Sequence, residues 1–211
     1  MRAKAALLDE PMTCITRTGR GILYSDFASV SFFDPVGRAD AWRLHEEVGK
    51  RPSTDFGPRF MRNTPVFIKY GRPIKRFEIL VHARNRVHRE QDNWNGWNKM
   101  ELGDGVASIG SKEEALHIEG TCDIRGIPLE ELVNYMAGAR MIIGPSSGPM
   151  HLATLCGCPQ VVWSDREDTL VRYERTWNPF NVKSVRILDR NPSAVEVMDS
   201  QKKLDEYGRR V

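Results

Sequence analysis

An α/β protein built on a parallel sheet is the fold class this sequence predicts, and three observations predict it. From residue 77 onward, short apolar runs recur at intervals of about 20 to 25 residues, the rhythm of strand, crossover, strand. The segments between them carry helical apolar spacing or glycine and proline punctuation. The composition, 40% hydrophobic and 28% charged over 211 residues, is that of an ordinary globular chain. At roughly 150 residues per domain this length is cramped for two full-sized domains. No apolar run approaches the roughly 20 residues of a membrane span. Four cysteines are too few for a disulfide scaffold and lack zinc-site spacing. Residues 1–10 hold two basic residues but no apolar core, so no secretory signal is expected and a cytoplasmic location is.

The elements follow in order. Residues 1–76 read as an abbreviated N-terminal region: a strand over 12–15, a glycine turn at Gly19 and Gly21, an apolar stretch over 22–33, and a loop rich in proline and glycine over 49–62. Residues 77–211 read as the parallel-sheet domain. FEILV at 77–81 is a buried strand bounded by charge. The stretch 84–97, rich in Asn, Arg and Trp, is a loop or helix start. GVASI at 105–109 is a second strand, 112–117 reads as helix, and 121–124 as a third strand. Leu129, Leu132, Val133 and Met136 stand at helical spacing over 128–137, with Pro128 placed for the first turn. Residues 141–143 form a fourth strand, 151–156 a helix stopped by Gly157, and 160–163 a fifth strand. The turn at 177–180 leads to a last strand. Residues 192–207 form a terminal helix, with Val195, Met198 and Leu204 on one side. That side is expected to pack toward the N-terminal region, on the view that helices already cover both sheet faces.

Charge is uneven. Residues 59–99 hold ten Lys or Arg against three Asp or Glu, whereas the rest of the chain is mildly acidic. Such a segment is either a solvated loop or the face for an anionic partner: a phosphate, a nucleotide or a nucleic acid.

In parallel sheets, ligands sit at the turns beyond the carboxyl ends of the strands. The richest turn here is IIGPSSGPMHLATLCGCPQVVW at 142–163. A strand runs into Gly144 and Pro145, and a helix begins near Pro149, a residue suited to a first turn because it lacks an N–H. Ser146 and Ser147 offer hydroxyls, Gly148 leaves the backbone open, and His151 falls in the first helical turn. The free N–H groups and dipole of a helix start make an anion site. The alternative is a plain helix cap with His151 packed beside it. No Gly-Lys-Ser/Thr follows, so this is not a Walker loop.

The stretch 77–163 resembles the C-terminal half of a GT-B glycosyltransferase, and in particular the ADP-heptose:lipopolysaccharide heptosyltransferase family. That family's Gly-Pro/Asn-Asp-Ser/Thr-Gly-Pro-x-His-Leu-Ala turn is matched by the run from Gly144 through Pro145, Ser146, Ser147, Gly148, Pro149, Met150, His151 and Leu152 to Ala153. Gly157 and Pro159 follow as its Gly-x-Pro. Upstream, Gly126, Leu129, Glu131 and Leu132 resemble its helix start, and Gly110 followed by Glu114 resembles its strand-end glycine and nucleoside-holding glutamate.

The resemblance implies a Rossmann-like sheet forming the nucleotide-sugar lobe of a GT-B protein, with an abbreviated acceptor lobe. It implies that Ser146, Ser147, Gly148, Pro149, Met150 and His151 surround the diphosphate of a nucleotide-sugar donor. Glu114 would face the ribose or base, and Arg84, Asn85 and Arg86 the phosphates from the other side. No metal is expected, because fixed donors and Arg⁺ can stabilise the leaving diphosphate. The acceptor would be a glycan hydroxyl or, given the basic segment, modified DNA. A binding module needing a partner chain is the non-enzymatic alternative.

Two departures stand out. Ser146 replaces the family's Asp, and Asn93 precedes Trp94 where the family often has Lys; Arg84, Arg86 and Arg89 are the substitutes at hand. The family's general base follows a glycine turn in the N-terminal lobe. Thr18 to Ser25 faintly resembles that turn without an Asp in it, and Asp26 is the nearest candidate, with Asp34 and Asp40 beyond. Cys156 and Cys158 read as small buried residues. His45, His82, His88 and His117 share no metal-ligand spacing. Trp94 and Trp97 either stack on a ligand or pack beneath the loop.

Overall fold

The computed structural model describes residues 12–15, 30–33, 71–175, 178 and 180–209. The chain divides into two compact units, Met1–Phe67 and Ile68–Val211. In the first, strand β1 (Met12–Ile15) pairs in parallel with β2 (Val30–Phe33), Met12 opposite Val30 and Ile15 opposite Phe33.

The second unit is a six-stranded parallel sheet. In chain order its strands are β3 (Ile79–Val81), β5 (Val106–Ser108), β7 (Cys122–Asp123), β8 (Met141–Pro145), β9 (Gln160–Trp163) and β10 (Ser184–Ile187). Its spatial order is β7-β5-β3-β8-β9-β10. The chain starts at the middle of the sheet, steps outward twice, returns to the other side of β3, and steps outward again. This is the doubly wound, Rossmann-like arrangement, and the direction reverses between β3 and β8.

Period-two alternation divides the strands between two cores. Leu80, Ala107, Ile142 and Val162 face one layer; Ile79, Val81, Val106, Met141, Ile143, Val161 and Trp163 face the other. The first layer is closed by α1 (Leu129–Gly138), α2 (Gly148–Cys156) and α3 (Glu167–Arg175), through Val133, Met136, Met150, Ala153, Leu170 and Tyr173. Residues 71–76 run along α1: Arg72 N–H donates to the Asn134 side chain at 2.7 Å, and Ile74 N–H to the Asn134 carbonyl at 3.1 Å. A Cβ on Gly138 would stand 2.3 Å from the Ile74 carbonyl oxygen, so only glycine allows this approach.

The second layer corrects a sequence expectation. The β3–β5 connection contributes no α-helix, only two 3-10 turns (Glu90–Asp92 and Gly96–Lys99). Trp94 and Trp97 from this connection pack edge-on at 4.8 Å, and Trp94 packs on Trp163 at 5.0 Å. The indole N–H of Trp94 donates to the Pro192 carbonyl at 2.7 Å. These rings are core, not a stacking platform. Met100, Ile118 and helix α4 (Ala194–Arg209) complete this layer, with Val197 and Leu204 of α4 buried in the same cluster. The terminal helix therefore covers its own sheet, because that face lacks the crossover helices it was credited with. Val195 is 62% exposed.

Three other elements differ from expectation. Residues 112–117 are not a helix. After one turn (Ala115 N–H to Ser111 carbonyl, 3.1 Å), Ala115–Leu116 forms strand β6, antiparallel to β4 (Ala83–Arg84). A lone turn has no i+4 partners to propagate it, and β4 captures the next residues. Pro128 is the N-cap of α1 and not part of its first turn. Helix α3 is an addition: only Leu170 and Tyr173 mark its apolar side, too few to stand out among charges. Elsewhere the predicted strands and helices hold within a few residues. Gly157 ends α2 in the left-handed conformation at φ 77°.

Candidate functional site

The switch between β3 and β8 brings two chain segments together at the carboxyl edge of the sheet. From β3 the chain continues through His82 into β4 and Arg84. From β8 it continues through Ser146 and Ser147 into α2. Backbone bonds anchor both: His82 N–H to the Ile143 carbonyl at 2.9 Å, and Ser146 N–H to the Trp163 carbonyl at 2.8 Å. A Cβ on Gly144 would stand 2.9 Å from the His82 carbonyl oxygen, so glycine lets the two exits lie close. The Arg84 guanidinium bridges them, donating from Nη2 to the Ser146 carbonyl.

At the start of α2, Ser147 is the N-cap, yet its hydroxyl makes no cap bond. That hydroxyl is buried without a partner, as is Nε of Arg84. Among the described residues no carboxylate pairs with Arg84. Burial, and then Arg86 nearby, pull its pKa below the ordinary value, and its Nε is a donor without a partner. His151 N–H closes the first turn onto the Ser147 carbonyl at 3.2 Å. Pro149 has no N–H, so the helix itself leaves the amides of Gly148 and Met150 unbonded. Gly148 is exposed, and a Cβ on it would meet no described atom within 4 Å. The helix start is open where its dipole favours an anion.

Met150 is wholly buried, so it supports the turn from beneath. The imidazole of His151 lies flat on the phenol of Tyr173, centroids 4.7 Å apart and planes 6° apart. The Tyr173 hydroxyl is 3.3 Å from His151 Nε2 and 3.1 Å from Ser146 Oγ, and it accepts from the Ser147 backbone amide. Ser146, standing where the family motif has Asp, is thus held by Tyr173. Sequence reading missed this tyrosine, because it lies 22 residues beyond His151 on an unpredicted helix.

Of the other predicted residues, Asn85 is joined through its backbone amide to the Glu114 carbonyl at 2.8 Å. Glu114 itself is exposed. Arg86 lies 3.6 Å from Asp92, and its backbone exchanges two bonds with the Asn93 side chain. Asn93 is therefore a loop clamp, and Arg84 is the cation that reaches the turn. Asp26, Asp34, Asp40, His45 and the 18–25 turn lie outside the described residues.

His82 is a further buried group. Its ring N–H donates to the Ile109 carbonyl at 3.2 Å, and burial lowers its pKa to about 4. Burial pushes the Cys156 thiol up to about 12 and raises that of Cys158 as well, so neither is a nucleophile at neutral pH. Among the described residues no group of His, Cys, Asp or Glu could hold a metal ion, and no helix is long and apolar enough to cross a membrane.

The fold and this edge define a Rossmann-like α/β domain with an open helix start at its switch point. Among solved structures, the chain is similar to the E. coli heptosyltransferase WaaC with ADP, at 13% identity and a TM-score of 0.47 over 84% of this chain and 60% of that one. It is similar also to a glycosyl transferase family 9 protein from Veillonella parvula, at 12% identity and a TM-score of 0.44, covering 93% and 67%. The chain thus spans about three fifths of the length of the first. No family model and no curated protein sequence matches it.

Proposed function

We propose that this chain is a glycosyltransferase of the GT-B type, taking a sugar from a nucleoside-diphosphate donor and passing it to an acceptor hydroxyl without a metal. The observation that carries this reading is the partly buried guanidinium of Arg84, in no ion pair among the described residues, set against the open N-terminus of α2 at the sheet's switch point. Departure of a sugar from its donor builds negative charge on the diphosphate. Arg84, the amide of Gly148, the Ser147 hydroxyl and His151 are the donors proposed for that charge, and fixed donors need no reorganisation as it grows. Glu114, beside Asn85 and directly before β6, is the group for the ribose or base. Asp26 is the proposed general base, and the acceptor is a glycan or modified DNA.

The test is thermal unfolding with ADP, UDP and GDP, with and without EDTA. A bound diphosphate at 100 times its dissociation constant adds about 2.7 kcal/mol, and EDTA leaves that gain intact. No shift with any of the three at millimolar concentration removes the donor site. Binding without release of diphosphate from nucleotide sugars, across glycan and DNA acceptors, would make the chain a binding module instead.

A further inference from the structure

Strands β3 and β5 separate where the candidate site begins. Their register ends with Val81 opposite Ser108, and a last main-chain rung runs from the Ile109 N–H to the Val81 carbonyl at 2.9 Å. An unbroken parallel ladder would next bond the Ala83 N–H to the Ile109 carbonyl. Ala83 belongs instead to β4, opposite Leu116 of β6. The imidazole of His82 takes the place of that rung, its Nδ1 meeting the Ile109 carbonyl at 3.2 Å. A carbonyl can only accept, so Nδ1 carries the proton. The backbone N–H of the same residue donates to the Ile143 carbonyl of β8 at 2.9 Å. His82 is thus bonded to both neighbours of β3. Its ring lies against Gly110, whose φ is 123°. A Cβ on Gly110 would stand 3.1 Å from His82 Nδ1 and 2.6 Å from the Ala115 Cβ, so glycine admits both. Gly110 opens the loop to Glu114, and the far end of that loop is tied by the Asn85 N–H to the Glu114 carbonyl at 2.8 Å. Arg84 lies between the two ties, opposite Ala115.

We propose that His82 is a positioning residue of the donor cleft, holding the loop of Glu114 at a set distance from Arg84 so that one nucleotide can reach both. The inference rests on the donor-site reading, which gives Glu114 the nucleoside and Arg84 the diphosphate. A ligand that spans two subsites gains from both only when their separation matches its own. A cleft free to splay therefore weakens the joined ligand while each half still binds. An asparagine at 82 has its amide nitrogen as many bonds from the backbone as Nδ1, so it can donate to Ile109. A leucine keeps the bulk and has no donor.

The test compares His82→Asn and His82→Leu with wild type, each as the full chain. Calorimetry measures affinity for ADP, UDP and GDP, and for their separate halves, the nucleosides and inorganic pyrophosphate. His82→Leu should weaken whichever nucleoside diphosphate binds by about tenfold, the scale of one hydrogen bond, and leave both halves at wild-type affinity. His82→Asn should restore most of that loss. Equal losses for the joined ligand and its halves mean that His82 serves only the fold, which overturns the proposal. So does a leucine variant that binds like wild type, or an asparagine variant that binds no better than leucine. A second readout needs no variant, should His82→Leu fail to fold. Long-range ¹H–¹⁵N spectra of unliganded wild type should show His82 protonated on Nδ1, and an Nε2–H form overturns the proposal. If wild type binds none of the three nucleotides, the donor-site reading fails and this assignment with it. Diphosphate binding that ignores His82 removes this assignment alone.

Discussion

At the residue scale, the turn after β8 separates binding from folding. Gly148 has open space where a side chain would go, so Gly148→Val should cost the fold little. The same branched side chain would stand between the helix amides and a phosphate. Diphosphate affinity should fall at least about tenfold, or ~1.4 kcal/mol, and His151→Ala should cost about 1 to 3 kcal/mol. The nucleoside alone should ignore both changes in calorimetry. Equal losses for nucleoside and diphosphate would mean damage to the fold, and unchanged diphosphate affinity would remove the phosphate assignment. His82 supplies a pH signature. Its folded pKa of about 4 lies below the ordinary histidine value, so between the two the unfolded chain binds more protons. Stability therefore falls as pH drops, by roughly 1.5 kcal/mol between pH 6.5 and 5 from this group alone. His82→Gln should flatten that part of the profile in denaturant titrations; an unchanged slope would sink the assignment.

At the scale of elements, α4 is the second face of the sheet. Leu204 is 4% exposed and packs among strand residues, so Leu204→Ala should cost about 2 to 5 kcal/mol. Val195→Ala, on the solvent side of the same helix, should stay within about 0.5 kcal/mol. Comparable small losses from both in equilibrium unfolding would show that α4 is not part of the core. Five of the main-sheet strands were legible in the sequence as short apolar runs, and α1 because its apolar positions repeat at helical spacing. The chain at 112–117 was misread because its Glu and Ala suit a helix, whereas its conformation is decided by β4, some thirty residues earlier. Helix α3 escaped notice for the converse reason: its two buried residues acquire meaning only against the α1 and α2 layer.

At the scale of the whole molecule, Ile68–Val211 contains all six strands of the main sheet and both of the described core clusters. A fragment of residues 68–211 should therefore unfold cooperatively in urea and bind a nucleoside diphosphate as tightly as the full chain does. A non-cooperative melt would show that the domain depends on the first unit. Weaker binding by a well-folded fragment would show that the first unit contributes to the donor site.

By itself the sequence determined the parallel-sheet class, the positions of five of the six main-sheet strands, and the turn at 144–151 as the place to look, because short apolar runs and the chemistry of Gly, Pro and Ser are local properties of a chain. Only the tertiary structure decided the rest. The strand order places Arg84 beside Ser146, 62 positions apart, and α3 delivers Tyr173 to His151. It also decided that Trp94 and Trp97 are core and that Asn93 is a clamp. These are contacts across a sheet and between layers, and no short-range pattern encodes them, because what brings them together is the burial of two apolar faces shared by the whole domain.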